Sequence, residues 1–374
     1  MADTSTSKAQ ERSRPSASLQ ASQLKSDAEA AMAASGSSSK VGSSAADAPL
    51  GSGADSDSVW LTVVSAYMYV IIWMTVSCSV ILFNKWLLAY TPFHYPITLT
   101  LWHMAFCSTC GFIVVRVLKV TPSVNMSWTD YGKRVVPIGA LYALSLWLSN
   151  SAYLYLSVSF IQMTKSLMPG LTFLVGMMAG RETYSHSTAI NMTIIAVGVA
   201  VAAYGELNFV LKGVLMQLGA LVFEAARLML VQVLIDAKGM KMNSFQSLYY
   251  ISPACGVCLL VPFYFMEYDE VSAKYSTLLT SVDPKILIAN AATAFLLNLA
   301  VFLLIGKTSA LTMNIAGVIK DWILIAASGY LFQSPITALN LAGYFVAFCA
   351  VCVYQYTKLQ RLKQAAAVAR KDRG

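Results

Sequence analysis

Phe160-Ile161-Gln162-Met163-Thr164-Lys165-Ser166-Leu167-Met168-Pro169 sets a lysine in the middle of a long apolar run, and Ile315-Ala316-Gly317-Val318-Ile319-Lys320-Asp321-Trp322 does so again. A lysine at the centre of a membrane helix costs roughly 2.5–3.5 kcal/mol on insertion scales, so it normally faces a protein cavity and marks a solute or ion path. Cations at that depth suit an anionic solute, such as a phosphate, better than a proton or Na⁺.

The surrounding composition sets the class. Of 374 residues, 57% are hydrophobic and 12% are charged, against about 25% charged in soluble domains. Apolar stretches near 20 residues are long enough to cross a bilayer as helices. The pattern predicts an all-α integral membrane protein with ten transmembrane helices, near 60–82, 97–118, 134–156, 158–179, 188–204, 211–234, 245–266, 285–306, 309–331 and 337–357. The third and fourth spans, and the eighth and ninth, nearly touch, which predicts two tight hairpins. The net charge of +8 reads as the basic flanks of these spans and not as a nucleic-acid surface.

Fourteen lysines and arginines fall on the N-terminal side of the spans, and only Lys85, Lys212, Lys274 and Lys285 on the other. That bias predicts both termini in the cytosol. Residues 1–57 are rich in Ser, Ala and Gly without apolar periodicity, and are expected to form a disordered tail. Acidic residues among the first 30 argue against a plastid transit peptide. The membrane domain is expected over 58–358, in halves of about 58–207 and 208–358, followed by a basic tail over 359–374. Two five-span halves insert with opposite orientation, the arrangement of many secondary transporters. Lys165 falls in the fourth span of one half and Lys320 in the fourth of the other.

The charges inside spans are Lys165, Glu224, Arg227, Lys320 and Asp321. Glu224 and Arg227, at i and i+3, can pair along one helix face; alternatively Arg227 faces the cavity, where its fork can grip phosphate oxygens. Asp321 follows Lys320 about 100° around the helix, so the two are not expected to face each other. Lys85, in Phe83-Asn84-Lys85-Trp86, is expected to follow the first span, as an interfacial anchor or a substrate contact. Gln162 and Asn298 complete the candidate site. Six of the seven cysteines form three Cys-x-x-Cys spacings, but inside apolar runs, where cysteine packs as a small hydrophobe; no metal or cofactor is expected. No nucleophile elbow, Walker loop or His-Glu-x-x-His occurs, so an enzyme is not expected, and transport without an ATPase domain is left to exchange or facilitated diffusion.

Several motifs together resemble one family. Phe83-Asn84-Lys85-Trp86 with Phe93-His94-Tyr95-Pro96, Ser159 to Lys165, Tyr204-Gly205-Glu206-Leu207-Asn208-Phe209, Glu224-Ala225-Ala226-Arg227-Leu228 and Thr308 to Thr312 leading to Lys320-Asp321-Trp322 resemble the triose-phosphate translocator and nucleotide-sugar transporter family, within the drug/metabolite transporter superfamily. The resemblance runs from about 60 to 360. It implies a ten-span, five-plus-five inverted repeat with a central cavity, exchange of phosphorylated solutes, and contact of Lys165, Arg227 and Lys320 with the substrate phosphate. Two departures stand out: Gln162 replaces a histidine of the plastid translocators, and Lys320-Asp321 replaces their Lys-Arg pair. The Lys-Asp form resembles a plant and algal branch of sugar-phosphate or nucleotide-sugar translocators. The expectation is an antiporter for a phosphorylated sugar in a Golgi or ER membrane, with a phosphorylated counter-substrate, lipid contact, no nucleic-acid partner, and a homodimer left open. A plastid-envelope phosphate translocator is the first alternative, and a membrane enzyme acting on a phosphorylated lipid is the alternative of another class.

Overall fold

Apolar segments in lipid must satisfy their own backbone polar groups, and the helix does this within one segment. The computed structural model describes residues 55–371 apart from 124, 125, 208, 239–241, 275, 279–281, 306–309 and 335. Its main helices are α1 (Asp55–Tyr90), α2 (Pro96–Phe112, continued by a π-helical turn Ile113–Val117), α3 (Val136–Tyr155, entered through a π-helical turn Tyr131–Val135), α4 (Val158–Thr164), α5 (Met168–Met178), α6 (His186–Tyr204), α7 (Leu211–Lys238), α8 (Ser244–Met266), α9 (Tyr268–Ala273), α10 (Pro284–Ile305), α11 (Ala310–Leu331) and α12 (Ala338–Lys371). No strand forms among the described residues. Many large apolar side chains, such as Val257, Val261 and Phe265 on α8, face outward, as lipid contact requires.

Eight helical segments of the described residues are long and apolar enough to cross a membrane: Tyr67–Tyr90, Pro96–Val117, Trp128–Tyr155, His186–Tyr204, Leu211–Val233, Ser244–Met266, Pro284–Leu304 and Ala338–Arg361. This is two fewer than the sequence predicts. The expected fourth span is split into α4 and α5, neither of which approaches the ~20 residues a crossing needs. The ninth forms the 22-residue α11, which is not one of the eight. The first helix also departs from expectation. It starts inside the tail expected over 1–57 and runs to Tyr90 instead of ending near 82, so Lys85 lies within it. Residues 156–157 alone separate α3 from α4, the tight hairpin expected there; the second expected hairpin turns on 306–309, outside the described residues.

The helices pack as α6 on α12, α3 on α7, α8 on α2 and α3, α10 on α1 and α2, α5 on α7, and α11 on α4 and α1. The α6–α12 contact is close, because Gly198 and Ala202 on α6 oppose Gly343 and Ala347 on α12. A Cβ at Gly198 would stand 2.7 Å from the Ala347 nitrogen and 2.8 Å from the Gly343 oxygen. Two small residues four apart on each helix let the backbones meet.

The end of the bundle where α1, α3 and α8 finish, the far side, is tied by buried polar contacts. Lys85, 7% exposed, donates to the carbonyls of Tyr153 (2.7 Å) and Leu156 (3.0 Å) at the C-terminus of α3, a position where helix carbonyls lack partners and a cation is favourable. Glu267, just past α8, accepts from the Ile97 and Thr98 N–H groups (2.9 and 2.7 Å) and the Thr98 hydroxyl (2.6 Å) at the N-terminus of α2. Burial pushes its carboxyl up, and these hydrogen bonds pull it back. Asn340 donates to Ala202 O (2.6 Å) and Thr337 to Gly205 O (2.9 Å), joining α12 to the end of α6. Tyr90 stacks on Phe332 at 5.0 Å, joining the ends of α1 and α11.

Glu267→Gln is expected to lower stability by about 1–3 kcal/mol, because the amide NH₂ cannot accept and leaves at least one donor of α2 unpaired. Thermal unfolding of the detergent-solubilised protein reads this directly. An unchanged midpoint would show that the α2 cap carries no weight.

Candidate anion-binding cavity

Pro169 explains the broken segment. Proline has no N–H, and its ring crowds the carbonyl four residues earlier, here that of Lys165. The helix therefore tightens into a 3₁₀ turn over Lys165–Leu167, in which the Lys165 carbonyl accepts from the Met168 N–H. Ser157 caps the start of α4 by accepting from the Phe160 N–H at 3.1 Å. Lys165 thus sits at the joint of two half-helices, and irregular backbone at membrane depth is tolerated where it lines a cavity.

A cavity of about 320 Å³ opens there. Lys165, Met168 and Thr172 line it from the broken segment, Leu228, Met229 and Gln232 from α7, Val318 and Asp321 from α11, and Tyr344, Phe348 and Val351 from α12. It reaches from Lys165 and Asp321 at mid-depth to Glu182, Gln355 and Lys358 at the N-terminal side. The far side is the end closed by the ties of Lys85, Glu267 and Asn340.

The in-span charges sort into pairs. Arg227 donates from Nε to Glu224 Oε2 at 2.8 Å and from Nη2 to Oε1, while the Ser145 hydroxyl reaches the same carboxylate at 3.3 Å. The guanidinium also lies 4.7 Å from the Tyr142 ring centre, a cation–π distance. Arg227 is therefore held by its own helix neighbour and is not among the residues lining the cavity. Lys320 Nζ lies 3.4 Å from Asp321 Oδ1, although adjacent residues were expected not to meet. The four-carbon lysine stem bends back far enough to cover the angle, and the ammonium also sits 5.9 Å from the Trp73 ring centre. Lys165, by contrast, makes no hydrogen bond or ion pair among the described residues, and it shares the cavity wall with Asp321. Two cations are matched by two carboxylates, and the third stands on the cavity wall.

The remaining candidates separate. Gln162, on α4 three residues before Lys165, is 1% exposed, and neither amide atom is hydrogen-bonded among the described residues. Lys85 is engaged at the end of α3, away from the cavity. Asn298 donates to the Ala294 carbonyl one turn back on α10, at 2.9 Å, and does not line the cavity either.

The sequence matches the model of the Triose-phosphate Transporter family over residues 64–355. The chain belongs to this family. Among its relatives, the probable sugar phosphate/phosphate translocator At5g11230 of Arabidopsis thaliana is 50% identical over 313 residues, 83% of this chain and 88% of the relative. The probable sugar phosphate/phosphate translocator At4g32390 of the same plant is 50% identical over 83% of this chain and 89% of its own length. A more distant one, At5g05820, bears the same description at 30% identity over 76% and 93%. Membership makes the chain a membrane transporter and not an enzyme.

Two features of this transporter escape a reading of residue types alone. Gln217 on α7 is 1% exposed and, like Gln162, has both amide atoms unpaired among the described residues; a single glutamine in Leu215-Met216-Gln217-Leu218 was the only signal. His103 Nε2 meets Asn290 Oδ1, and Asn290 Nδ2 donates to Asn84 Oδ1 at 2.9 Å, a buried network linking α2, α10 and α1. Buried polar networks of this kind favour one packing over others.

Proposed function

We propose that the protein is a secondary antiporter that exchanges a phosphorylated sugar for another phosphorylated solute or phosphate across an endomembrane. The unpaired Lys165 ammonium on the cavity wall is the observation that carries this reading. A buried charge without a partner is costly, and a phosphate entering the cavity supplies the missing anion. The names of the relatives, sugar phosphate/phosphate translocators, support the same substrate class. Lys320 and Asp321 stand beside the phosphate position and set its net charge. Arg227 joins the site by leaving Glu224, and Gln162, Lys85 and Asn298 act in states other than the one described.

The packing supports a five-plus-five repeat. Taking the broken α4–α5 and α11 as the two remaining crossings, a shift of five spans maps the α6–α12, α2–α8 and α4–α11 contacts onto themselves. The same shift exchanges α3–α7 with α10–α1, and α8–α3 with α2–α10. Inverted halves rocking about a midplane site give alternating access. An open N-terminal side with a tied far side is one of its two end states. Empty, the cavity holds an uncompensated cation and resists closure, which couples each crossing to a bound anion. The basic N-terminal side of the spans supports cytosolic termini.

Reconstitution into liposomes tests the reading. Vesicles loaded with inorganic phosphate, a triose phosphate, a hexose 6-phosphate or a UDP-hexose are expected to take up a labelled phosphorylated sugar only when a phosphorylated partner is inside. Uptake into vesicles lacking any internal partner at the same rate would contradict exchange, and no uptake under any loading would contradict phosphorylated-sugar transport.

A further inference from the structure

Gln162 and Gln217 are unusual because, among the described residues, their four buried amide atoms lack partners. An unpaired buried amide costs about 1–3 kcal/mol, and leucine would fill either place without that cost. Their depth is set by neighbouring contacts. A Cβ at Gly213 on α7 would stand 2.7 Å from Tyr155 Cβ and 2.9 Å from Leu156 Cγ at the end of α3, and one at Gly219 would stand 3.1 Å from Leu148. Helix α7 thus begins level with the end of α3, where α4 also begins, and runs alongside α4 in the same direction. Gln217 is four residues beyond Gly213, and Gln162 four beyond Val158, so both amides lie about 6 Å inside that end.

Both also share the faces that meet the cavity. Gln217 and the lining residue Leu228 are eleven residues apart, within about 20° of each other around α7. Gln162 lies about 60° from Lys165 and one turn, about 4.5 Å, nearer the far side. On α4 the lining ends at Lys165, with Gln162 one turn beyond it; on α7 it ends at Leu228, and Gln217 lies about 16 Å farther along the same face toward the far side. The two helices touch, and neither amide has a partner among the described residues. An amide offers both a donor and an acceptor, as a hydroxyl does, whereas a phosphate oxygen wants donors and cations.

We propose that Gln217, together with Gln162, is a specificity-determining contact for the sugar hydroxyls of the transported solute, with Lys165 holding its phosphate. This assignment rests on the transport reading above. As the far side opens, the space beyond Lys165 becomes accessible, and the sugar takes the hydrogen bonds that the amides lack in the closed packing.

The experiment compares Gln217→Leu and Gln217→Met with wild type in proteoliposomes, using a hexose 6-phosphate, a UDP-hexose and inorganic phosphate as labelled solutes. Both variants are expected to keep or raise the unfolding midpoint. For the sugar-bearing solute that wild type carries best, KM is expected to rise about tenfold, the size of one lost hydrogen bond, while phosphate exchange stays within about twofold. Equal losses for phosphate and sugar, no change in either, or unfolding of both variants would each overturn the assignment, since a merely structural glutamine gives those results. A wild-type protein that moves none of the three solutes would instead overturn the transport reading itself, and the assignment with it.

Discussion

Lys165→Ala is expected to lower exchange by about a hundredfold or more while membrane insertion and the unfolding midpoint stay close to wild type. Among the described residues the ammonium touches no carboxylate, so its removal breaks no ion pair there; it removes only the charge that a phosphate would meet. Truncating one member of a buried charge pair typically costs about 2–5 kcal/mol in binding, and in the loaded state the phosphate is that partner. Lys320→Ala has a different outcome because Lys320 already covers Asp321 at 3.4 Å. Its loss exposes a carboxylate at the cavity and repels phosphate, so exchange falls strongly here too. The double variant Lys320→Ala/Asp321→Ala should then recover part of what the single variant loses, a non-additivity expected of residues in contact. Exchange rates in liposomes with matched protein content measure all three. Near-wild-type exchange by Lys165→Ala would remove the anion site from the mechanism.

Gly343→Leu is expected to destabilise the bundle strongly. Any Cβ at that position collides with the Ala202 nitrogen and comes within 2.6 Å of the Gly198 oxygen, and both are backbone atoms that cannot rotate away. Overpacking of a close contact costs about 1–3 kcal/mol, and a side chain as long as leucine forces α6 and α12 apart along their whole shared length. Because α12 also supplies Tyr344, Phe348 and Val351 to the cavity, transport should fall together with stability. Thermal unfolding in detergent and exchange in liposomes read the two effects, and Gly256→Leu provides the control: a Cβ there meets nothing nearer than Met104 Cβ at 3.7 Å. A Gly343→Leu protein as stable as that control would show that the two helices do not depend on their close approach.

The residues that could be understood from the chain alone are those whose role depends on local pattern. Apolar runs of about 20 residues dictate helices in a membrane whatever their partners, and Lys165 and Lys320 stand out because a lysine inside such a run is costly wherever the run packs. Pro169 marks the break beside Lys165 for an equally local reason, a missing N–H and a ring that crowds the preceding turn. The partners of each charge depend on packing instead. Arg227 could equally well have faced the cavity or Glu224, since both geometries suit the same spacing. Lys320 and Asp321 meet because a flexible side chain can cross an angle that backbone geometry places between them. Lys85 finds carbonyls on a helix 68 and 71 residues away, and Glu267 caps one 170 residues away. Gln217 carries no local mark at all, since an unpaired amide differs from a paired one only in what surrounds it. Sequence by itself determined that the chain is a bundle of apolar helices and which two lysines are out of place in it, but not that the segment around Lys165 is broken into two short helices. Tertiary structure alone decided which cation is left unmatched, because a charge is neutralised by whatever the fold brings within a few ångströms, and chain spacing does not encode that distance.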